Sequence, residues 1–157
     1  HGMKIRYHHD TIGVNSRLDT IQAAILSVKL KHLDEYNVAR QEAAMLYDSL
    51  FRDCKSLIIP QRVSWSDHIF HQYTLRLVNI DRKRLIEKLS EKGIPAMVYY
   101  PIPLHKQKAL EPYVNEKMVK EYPNSIMLSE SVLSLPMHTE LTQEVQHYIA
   151  DNVLSLL

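Results

Sequence analysis

Residues 7–33 read YHHDTIGVNSRLDTIQAAILSVKLKHL, and the rest of the chain is organised around this stretch. It starts as a polar, histidine-rich loop and continues into a long amphipathic helix. The first turn of a helix has free N–H groups and a partial positive charge, so it can hold an anion. Asn15 and Ser16 add hydrogen-bonding side chains, and Arg17 adds a fixed charge. Ser16 and Asp19 also fit a capping box, which leaves two interpretations open: a helix start alone, or one that also binds a phosphate.

The helix after this loop is long for a small domain. Apolar residues recur at helical spacing from Leu18 to Leu50, which predicts roughly thirty-five helical residues and a length of about 50 Å. We expect the helix to break near Tyr36–Asn37, where asparagine lowers the helix propensity, or to extend beyond its domain and pack on another surface.

The remaining sequence predicts short strands that alternate with helices. Strands are expected at residues 57–59, 70–78 and 96–100, and helices at 82–92, 106–112 and 123–133. In the second strand, the odd-numbered residues from His71 to Leu77 should share one face. This pattern predicts an α+β fold, a small mixed or antiparallel sheet covered by helices. We divide it into a loop and long helix at 1–51 and a small domain at 52–157.

Three residues should delimit helices in this small domain. Asp81 is expected to N-cap the first helix and Gly93 to end it, and Thr142 should N-cap the last helix of the chain. The buried face of that last helix is predicted to carry Val145, Tyr148, Ile149, Val153 and Leu156.

The composition argues against several classes of protein. The 157 residues carry a net charge of +1, whereas a nucleic-acid-binding domain normally shows a basic stripe. No window approaches the ~18 apolar residues of a membrane span. Cys54 is the only cysteine, so no internal disulfide is possible and a reducing, cytoplasmic location is expected. Three glycines are too few for a glycine-rich phosphate loop.

Nine histidines raise the question of a metal site, which we do not expect. The tightest groups are His8–His9 and His68-x-x-His71. Adjacent histidines cannot easily bind one tetrahedral ion, and residues i and i+3 of a strand face opposite sides. No serine or cysteine nucleophile stands in a recognisable motif, so no catalytic residue is assigned.

Residues 99–105 read YYPIPLH and form a second informative group. Two tyrosines end a predicted strand, two prolines stiffen the segment after it, and His105 closes it. Rigid aromatic and polar groups at a strand end can contact a sugar nucleotide at low entropic cost. The same residues can equally form a packed tyrosine–proline corner with a surface histidine, and both interpretations remain open.

Four segments of the chain resemble one enzyme family. The run GVNSRLDTIQAAIL (13–26) is similar to the second half of the sugar aminotransferases of the DegT/DnrJ/EryC1/StrS family, which are fold-type I enzymes that use pyridoxal 5'-phosphate (PLP). The resemblance continues in order through HIFHQYTLRL (68–77), GIPAMVYYPIPLHKQKAL (93–110) and LSLPMHTEL (133–141). Together, NSRLDTIQAA and YYPIPLH look most like the branch that aminates C3 of UDP-linked 3-keto-hexuronic acids.

The resemblance implies roles for six residues. Asn15 matches an asparagine that reaches across a dimer to the PLP phosphate, and Arg17 matches an arginine near the substrate end of the same site. Tyr100 and His105 match positions near the nucleotide-sugar. His9 and Tyr7 lie in the loop expected to face that site.

The resemblance also implies what lies outside the chain. The family's PLP-binding lysine belongs to a large N-terminal domain, so this chain is expected to be a C-terminal fragment that is inactive alone. The whole enzyme would form a homodimer through the long helix and the N-terminal loop. It would transfer an amino group, expected to come from glutamate, to a keto-sugar nucleotide for surface polysaccharide synthesis. The alternative is a non-catalytic regulatory or interaction module that keeps the small-domain fold.

Overall fold

The computed structural model describes residues 2–157, apart from the side chains of residues 116, 119 and 120. The strands are β1 (Met3–Ile5), β2 (His8–His9), β3 (Leu57–Ile58), β4 (Tyr73–Leu77) and β5 (Val132–Leu135). The α-helices are α1 (Thr20–Lys29), α2 (Leu33–Phe51), α3 (Arg82–Glu91), α4 (Glu116–Glu121), α5 (Pro123–Ser131) and α6 (Gln143–Ser155). Short 3-10 turns cover Leu30–His32, Leu104–Lys106 and Lys108–Tyr113. Strands β1 and β2 form a hairpin, and β3, β4 and β5 form an antiparallel sheet in that order, which confirms the α+β prediction.

β4 is the central strand of the three-stranded sheet. Tyr73 lies opposite Leu135, and Leu75 lies opposite Leu133. Tyr73, Leu75 and Leu77 are buried while the residues between them are half-buried, so the predicted alternation is confirmed from Tyr73 to Leu77. The placement of His71 on that face is wrong, because His71 is exposed and precedes the strand.

The core lies between this sheet and helices α2, α3 and α6. At its centre, the ring of Tyr47 packs against Phe51 and Tyr73, with ring centroids 5.8 and 4.9 Å apart. Large buried aromatic rings remove much apolar area from water, which is the main stabilising term of a small core. Helix α6 is fixed on α2 by buried Gln146, whose Nε2 donates to the carbonyl of Ala43 at 2.7 Å.

A polar group borders this core and ties β4 to α2. The carboxylate of Asp48 accepts the Tyr73 hydroxyl at 2.8 Å and two N–H groups of Arg62, at 2.7 and 2.9 Å. Burial and, to a smaller extent, the bond to Asp48 raise the pKa of Tyr73 far above its ordinary value, so its hydroxyl stays a donor. The Arg62 guanidinium lies 4.4 Å from the ring centroid of Phe70.

The start of the long helix differs from the prediction. α1 begins at Thr20, and the Asp19 carboxylate caps it by accepting the N–H of Gln22 at 2.8 Å. The capping box predicted from Ser16 is therefore wrong, because Ser16 lies in the irregular stretch before the cap.

The helix break also lies elsewhere. It falls at the 3-10 turn Leu30–His32, so the predicted break near Tyr36–Asn37 is wrong. α2 restarts directly after the turn with Asp34 and Glu35 in its first turn, where carboxylates are favoured by the helix dipole. Asn37 stays helical, because the free-energy cost of its low helix propensity is below about 1 kcal/mol and the packing of α2 offsets it.

No residue of α1 is buried, although the helix is rich in apolar side chains. Its exposed apolar residues include Ile21, Ile25, Leu26 and Val28. The division of the chain after residue 51 stays a prediction.

All three predicted strands are shorter in the structure, β3 by one residue at its end. β4 begins at Tyr73 because Phe70 has a φ of +47°, which interrupts the extended backbone. Residues 96–100 contribute a single antiparallel bridge between Met97 and Ser134, and the two prolines that follow offer no N–H to extend it.

Helix boundaries in the second half follow the capping chemistry. Asp81 caps α3 by accepting the N–H of Arg84 at 3.1 Å, and Gly93 follows its end with a φ of +72°, as predicted. α5 stops at Ser131 instead of Leu133, because β5 takes the next residues into the sheet. The helix predicted at 106–112 is replaced by 3-10 turns.

α6 is capped as predicted but buries a different face. Thr142 accepts the N–H of Val145 at 3.3 Å. Val145 and Tyr148 are exposed, so their predicted burial is wrong, whereas Gln146 is buried. A search for apolar positions misses Gln146, which can be buried because its side chain has a hydrogen-bond partner. Tyr148 lies at the surface and donates its hydroxyl to the carbonyl of Lys92 at 3.0 Å.

Replacing Leu133 with alanine should lower the free energy of unfolding by about 2–5 kcal/mol, because it leaves a cavity beside the central strand. The matched control is Leu154→Ala on α6, where the side chain is 38% exposed and the expected loss is about 1 kcal/mol or less. Urea denaturation measures both values. Equal losses for the two variants would contradict the placement of the core.

Candidate functional site

A cavity of about 830 Å³ opens between the N-terminal hairpin, the segment after Met97, and helices α4 and α5. Such a volume lies within the range of small-molecule sites. Four residues singled out in the sequence line it together: Tyr7, His9, Tyr100 and His105. The fold therefore joins the histidine-rich loop to the YYPIPLH segment, which lies more than ninety residues away in the chain.

The hairpin that carries Tyr7 and His9 depends on a glycine. The carbonyl of Gly2 accepts the N–H groups of Asp10 and Thr11 at 3.2 and 3.3 Å. Gly2 has a φ of +81°, and a Cβ there would lie 1.9 Å from the carbonyl oxygen of Thr11. Only glycine fits this close approach, and the sequence pattern around it gave no sign of that requirement.

Gln107 fastens the hairpin to the wall of the cavity. Its side chain is buried, with 6% of the residue exposed. Oε1 accepts the N–H of His9 at 2.9 Å, and Nε2 donates to the carbonyls of Tyr7 at 2.8 Å and Ile102 at 3.3 Å. Sequence reasoning missed Gln107, since a single glutamine after YYPIPLHK belongs to no recognisable pattern and only the fold shows its partners.

Three tyrosine rings cluster in the cavity lining. Tyr7 makes edge-to-face contacts with Tyr99 and Tyr100, at centroid distances of 5.8 and 5.1 Å. The Arg6 guanidinium lies 5.1 Å from the Tyr7 centroid. Tyr100 remains 63% exposed, so its ring is accessible from solvent.

His105 contributes a buried polar atom to the cavity lining. Its ring lies 5.4 Å from that of Tyr122, tilted by 32°. Nε2 of His105 is buried and has no hydrogen-bond partner among the residues that the structure describes. A buried polar atom without a partner is uncommon and points to a group that completes it.

The cavity lining is neutral as far as the described side chains go. It contains tyrosines, histidines, aliphatic residues, two serines and Gln107, and none of these described residues is Asp, Glu, Lys or Arg. The described part of the lining is therefore mostly apolar.

Asn15 and Arg17 lie apart from this lining. Both are exposed in the irregular stretch that precedes α1. The helix starts at Thr20 behind the Asp19 cap, so Asn15 and Arg17 do not lie in its first turn as the sequence suggested. They present an amide and a guanidinium to solvent, a donor set that fits a phosphate completed by groups from elsewhere.

Among the described residues, no group of three or more His, Cys, Asp and Glu side chains is close enough to hold a metal ion. None of the helices in the described part of the chain is long and apolar enough to cross a membrane.

Comparison with known proteins gives consistent matches along the whole chain. The profile of the DegT/DnrJ/EryC1/StrS aminotransferase family matches residues 1–154. A protein of Geobacillus stearothermophilus named pleiotropic regulatory protein is 40% identical over 157 residues, covering 98% of this chain and 41% of that relative. The UDP-2-acetamido-2-deoxy-3-oxo-D-glucuronate aminotransferase of Pseudomonas aeruginosa is 40% identical over 144 residues, covering 90% of this chain and 37% of the relative.

Solved structures agree with these sequence matches. The crystal structure of S. venezuelae DesV superposes with a TM-score of 0.80 at 30% identity, covering 98% of this chain and 40% of that one. The chain spans about two fifths of the length of the curated relatives it matches.

Gln107→Glu should release the hairpin, because a carboxylate still accepts from His9 but faces the carbonyls of Tyr7 and Ile102 with no donor. We expect hydrogen exchange at the His9 amide to accelerate at least about tenfold, which corresponds to ~1.4 kcal/mol. Gln61→Glu, at an exposed position, is the control. Unchanged protection at His9 in Gln107→Glu would show that the side chain does not hold the hairpin.

Proposed function

Because the chain belongs to the DegT/DnrJ/EryC1/StrS aminotransferase family, we propose that the whole protein is a PLP-dependent nucleotide-sugar aminotransferase. The resemblance seen in the sequence is thereby confirmed at the level of the family. One observation carries the proposal furthest: Tyr7, His9, Tyr100 and His105 line a single cavity. We propose that these four residues contact the nucleotide-sugar.

The proposed substrate is a UDP-linked 3-keto-hexuronic acid. This choice is supported by the name of the Pseudomonas aeruginosa relative, which is 40% identical to the chain. Glutamate is the proposed amino donor, surface polysaccharide the proposed destination of the product, and the cytoplasm the proposed location.

The proposed cofactor is PLP, which when bound supplies an electron-withdrawing ring that carries the amino group between donor and acceptor. We propose that the amide of Asn15 donates a hydrogen bond to its phosphate and that Arg17 holds an anionic group near the substrate. Neither side chain makes or breaks a bond to the substrate. The lysine that binds PLP is proposed to come from a part of the whole protein outside this chain.

Exposed apolar residues on α1 support the proposed homodimer. Ile21, Ile25 and Val28 lie at helical spacing on one face, and Ile21 and Val28 are 75% and 66% exposed. An apolar stripe of this kind marks an interaction surface. We propose that α1 and the loop before it pack on a second subunit, which brings Asn15 and Arg17 to that subunit's site.

Ile25→Lys should therefore weaken the dimer of the whole protein by placing a charge in an apolar interface. Sedimentation velocity is expected to show a monomer at concentrations where the unaltered protein is dimeric. Gln22→Lys, one turn earlier and already polar, is the matched control and should remain dimeric. A dimer that persists unchanged in Ile25→Lys would remove α1 from the interface.

Mixing two inactive variants of the whole protein tests whether Arg17 acts in the other subunit's site. One variant carries Arg17→Ala and the other lacks the PLP-binding lysine. If Arg17 acts across the dimer, reassortment gives half heterodimers, each with one complete site, so roughly a quarter of the full activity should return. A single chain that carries both changes is the control and should rescue neither partner. No recovery in mixtures with verified subunit exchange would place Arg17 in its own subunit's site.

A second candidate is a non-catalytic regulatory module, favoured by the Geobacillus stearothermophilus relative and its name. Amino transfer and PLP uptake, both measured on the whole protein, distinguish the two candidates. Amino transfer from glutamate to a UDP-linked 3-keto sugar supports the enzyme, whereas an inability to take up PLP would favour the module.

A further inference from the structure

We propose that Arg82 is a positioning residue for the reaction: its guanidinium fixes the end of helix α5 and the start of β5, and so holds one wall of the cavity in place. This inference rests on the proposed function, which puts the nucleotide-sugar in that cavity. Arg82 is not among the described residues of the lining, so it acts through the backbone of residues that are.

The wall that Arg82 holds is a helix with little packing of its own. Ser125, Leu128 and Ser129 of α5 line the cavity, and its opposite face borders a second cavity of about 480 Å³. Ser129 is the one buried residue of α5. Most helices in a domain are fixed by the burial of an apolar face, so α5 needs other contacts to fix its position.

Arg82 binds two backbone carbonyls where α5 meets β5. Its Nη1 donates to the carbonyl oxygen of Ser129 at 2.6 Å and to that of Val132 at 3.1 Å. The Ser129 carbonyl belongs to the last turn of α5 and has no helical N–H partner, because Leu133, four residues later, lies in β5. Both Ser129 and Val132 line the cavity, so one charged donor is bonded to the wall at two points.

Electrostatics favour this contact over any role of Arg82 in its own helix. Arg82 is the first residue of α3, where the helix dipole disfavours a positive charge. The same charge meets the C-terminal end of α5, where a cation is favoured and where the last turn of α5 has no basic residue. Burial lowers the pKa of Arg82 and the Glu130 carboxylate opposes this shift, so the guanidinium stays charged.

Helix α3 gives the contact a firm support. Its Leu85 and Leu89 lie in the core, and Asp81 caps its first turn. A helix that is fixed in the core therefore holds, through Arg82, a helix that buries almost nothing. Loss of the contact should let α5 shift and change the width of the cavity without unfolding the domain.

The test is steady-state kinetics of the whole protein with the UDP-linked 3-keto sugar and glutamate in the presence of PLP. Arg82→Met keeps the length of the side chain and removes its donors. It should raise the KM for the sugar at least about tenfold, with kcat changed less than about twofold. Deamination of glutamate without the sugar should keep its rate, because we place the sugar and not glutamate in this cavity. A general loss of folded protein would instead lower kcat and leave the KM unchanged.

Three further variants complete the design. Arg82→Lys keeps a charged donor and should return the KM to within about threefold of the unaltered protein. Lys83→Met removes a cation from the same turn of α3 at an exposed position, and should leave both KM and kcat unchanged. If Arg82→Met fails to fold, Arg82→Gln replaces it, since its neutral side chain is too short to reach both carbonyls and should also raise the KM.

Hydrogen exchange at the amide of Val132 gives a readout that does not depend on turnover. This N–H donates to the carbonyl of Leu128 and closes the last turn of α5. Its exchange should accelerate at least about tenfold in Arg82→Met and stay unchanged in Lys83→Met.

Distinct results would overturn the inference and the proposed function. The inference fails if exchange at Val132 is unchanged in Arg82→Met, or if the KM for the sugar stays the same while the unaltered protein turns the sugar over. The proposed function fails if the unaltered protein transfers no amino group to that sugar. Faster exchange at Val132 in Arg82→Met would in that case still assign the contact with α5 to Arg82.

Discussion

The contacts of Tyr73 hold the molecule together. Its ring is buried against Tyr47, its backbone pairs with Leu135 of β5, and its hydroxyl donates to Asp48 on α2. One residue thus connects the sheet, the long helix and the polar group at the border of the core. Burial raises the pKa of Tyr73 far above its ordinary value, so the hydroxyl keeps its proton even in alkaline solution.

The pairing of β4 with β5 determines where the cavity lies. β4 places β5, and Ser134 of β5 exchanges backbone hydrogen bonds with Met97 at 2.7 and 2.9 Å. That bridge sets the start of the segment that carries Tyr99, Tyr100 and His105. Gln107 then brings the hairpin onto the same wall through its three hydrogen bonds. Tyr7, Tyr99 and Tyr100 therefore lie on irregular backbone supported by a sheet, an arrangement common in functional loops.

The sequence predicted the features that depend on local chemistry. Periodicity identified β4 and its buried face, and the cap residues Asp81 and Thr142 were found by their side chains alone. The features that depend on distant partners were missed. The burial of Gln146 cannot be read from the sequence, because its partner, the carbonyl of Ala43, lies far away in the chain. Gln107 likewise binds a residue about one hundred positions away. The break in the long helix was misplaced because propensity differences are small beside tertiary packing.

The same distinction applies to the six site residues. Four of them line one cavity, as the family resemblance led us to expect. In the structure, the hydrogen bonds of Gln107 and the bridge at Met97 bring their segments together. Asn15 and Arg17 do not join them; they stand exposed beside an apolar helix that buries none of its own residues. The cavity, lined by largely apolar described residues, and the exposed amide and guanidinium are therefore two separate surfaces of this chain. The proposed dimer reconciles the two sets, because a helix that lacks a partner within this chain can carry its donors to a site that another subunit completes.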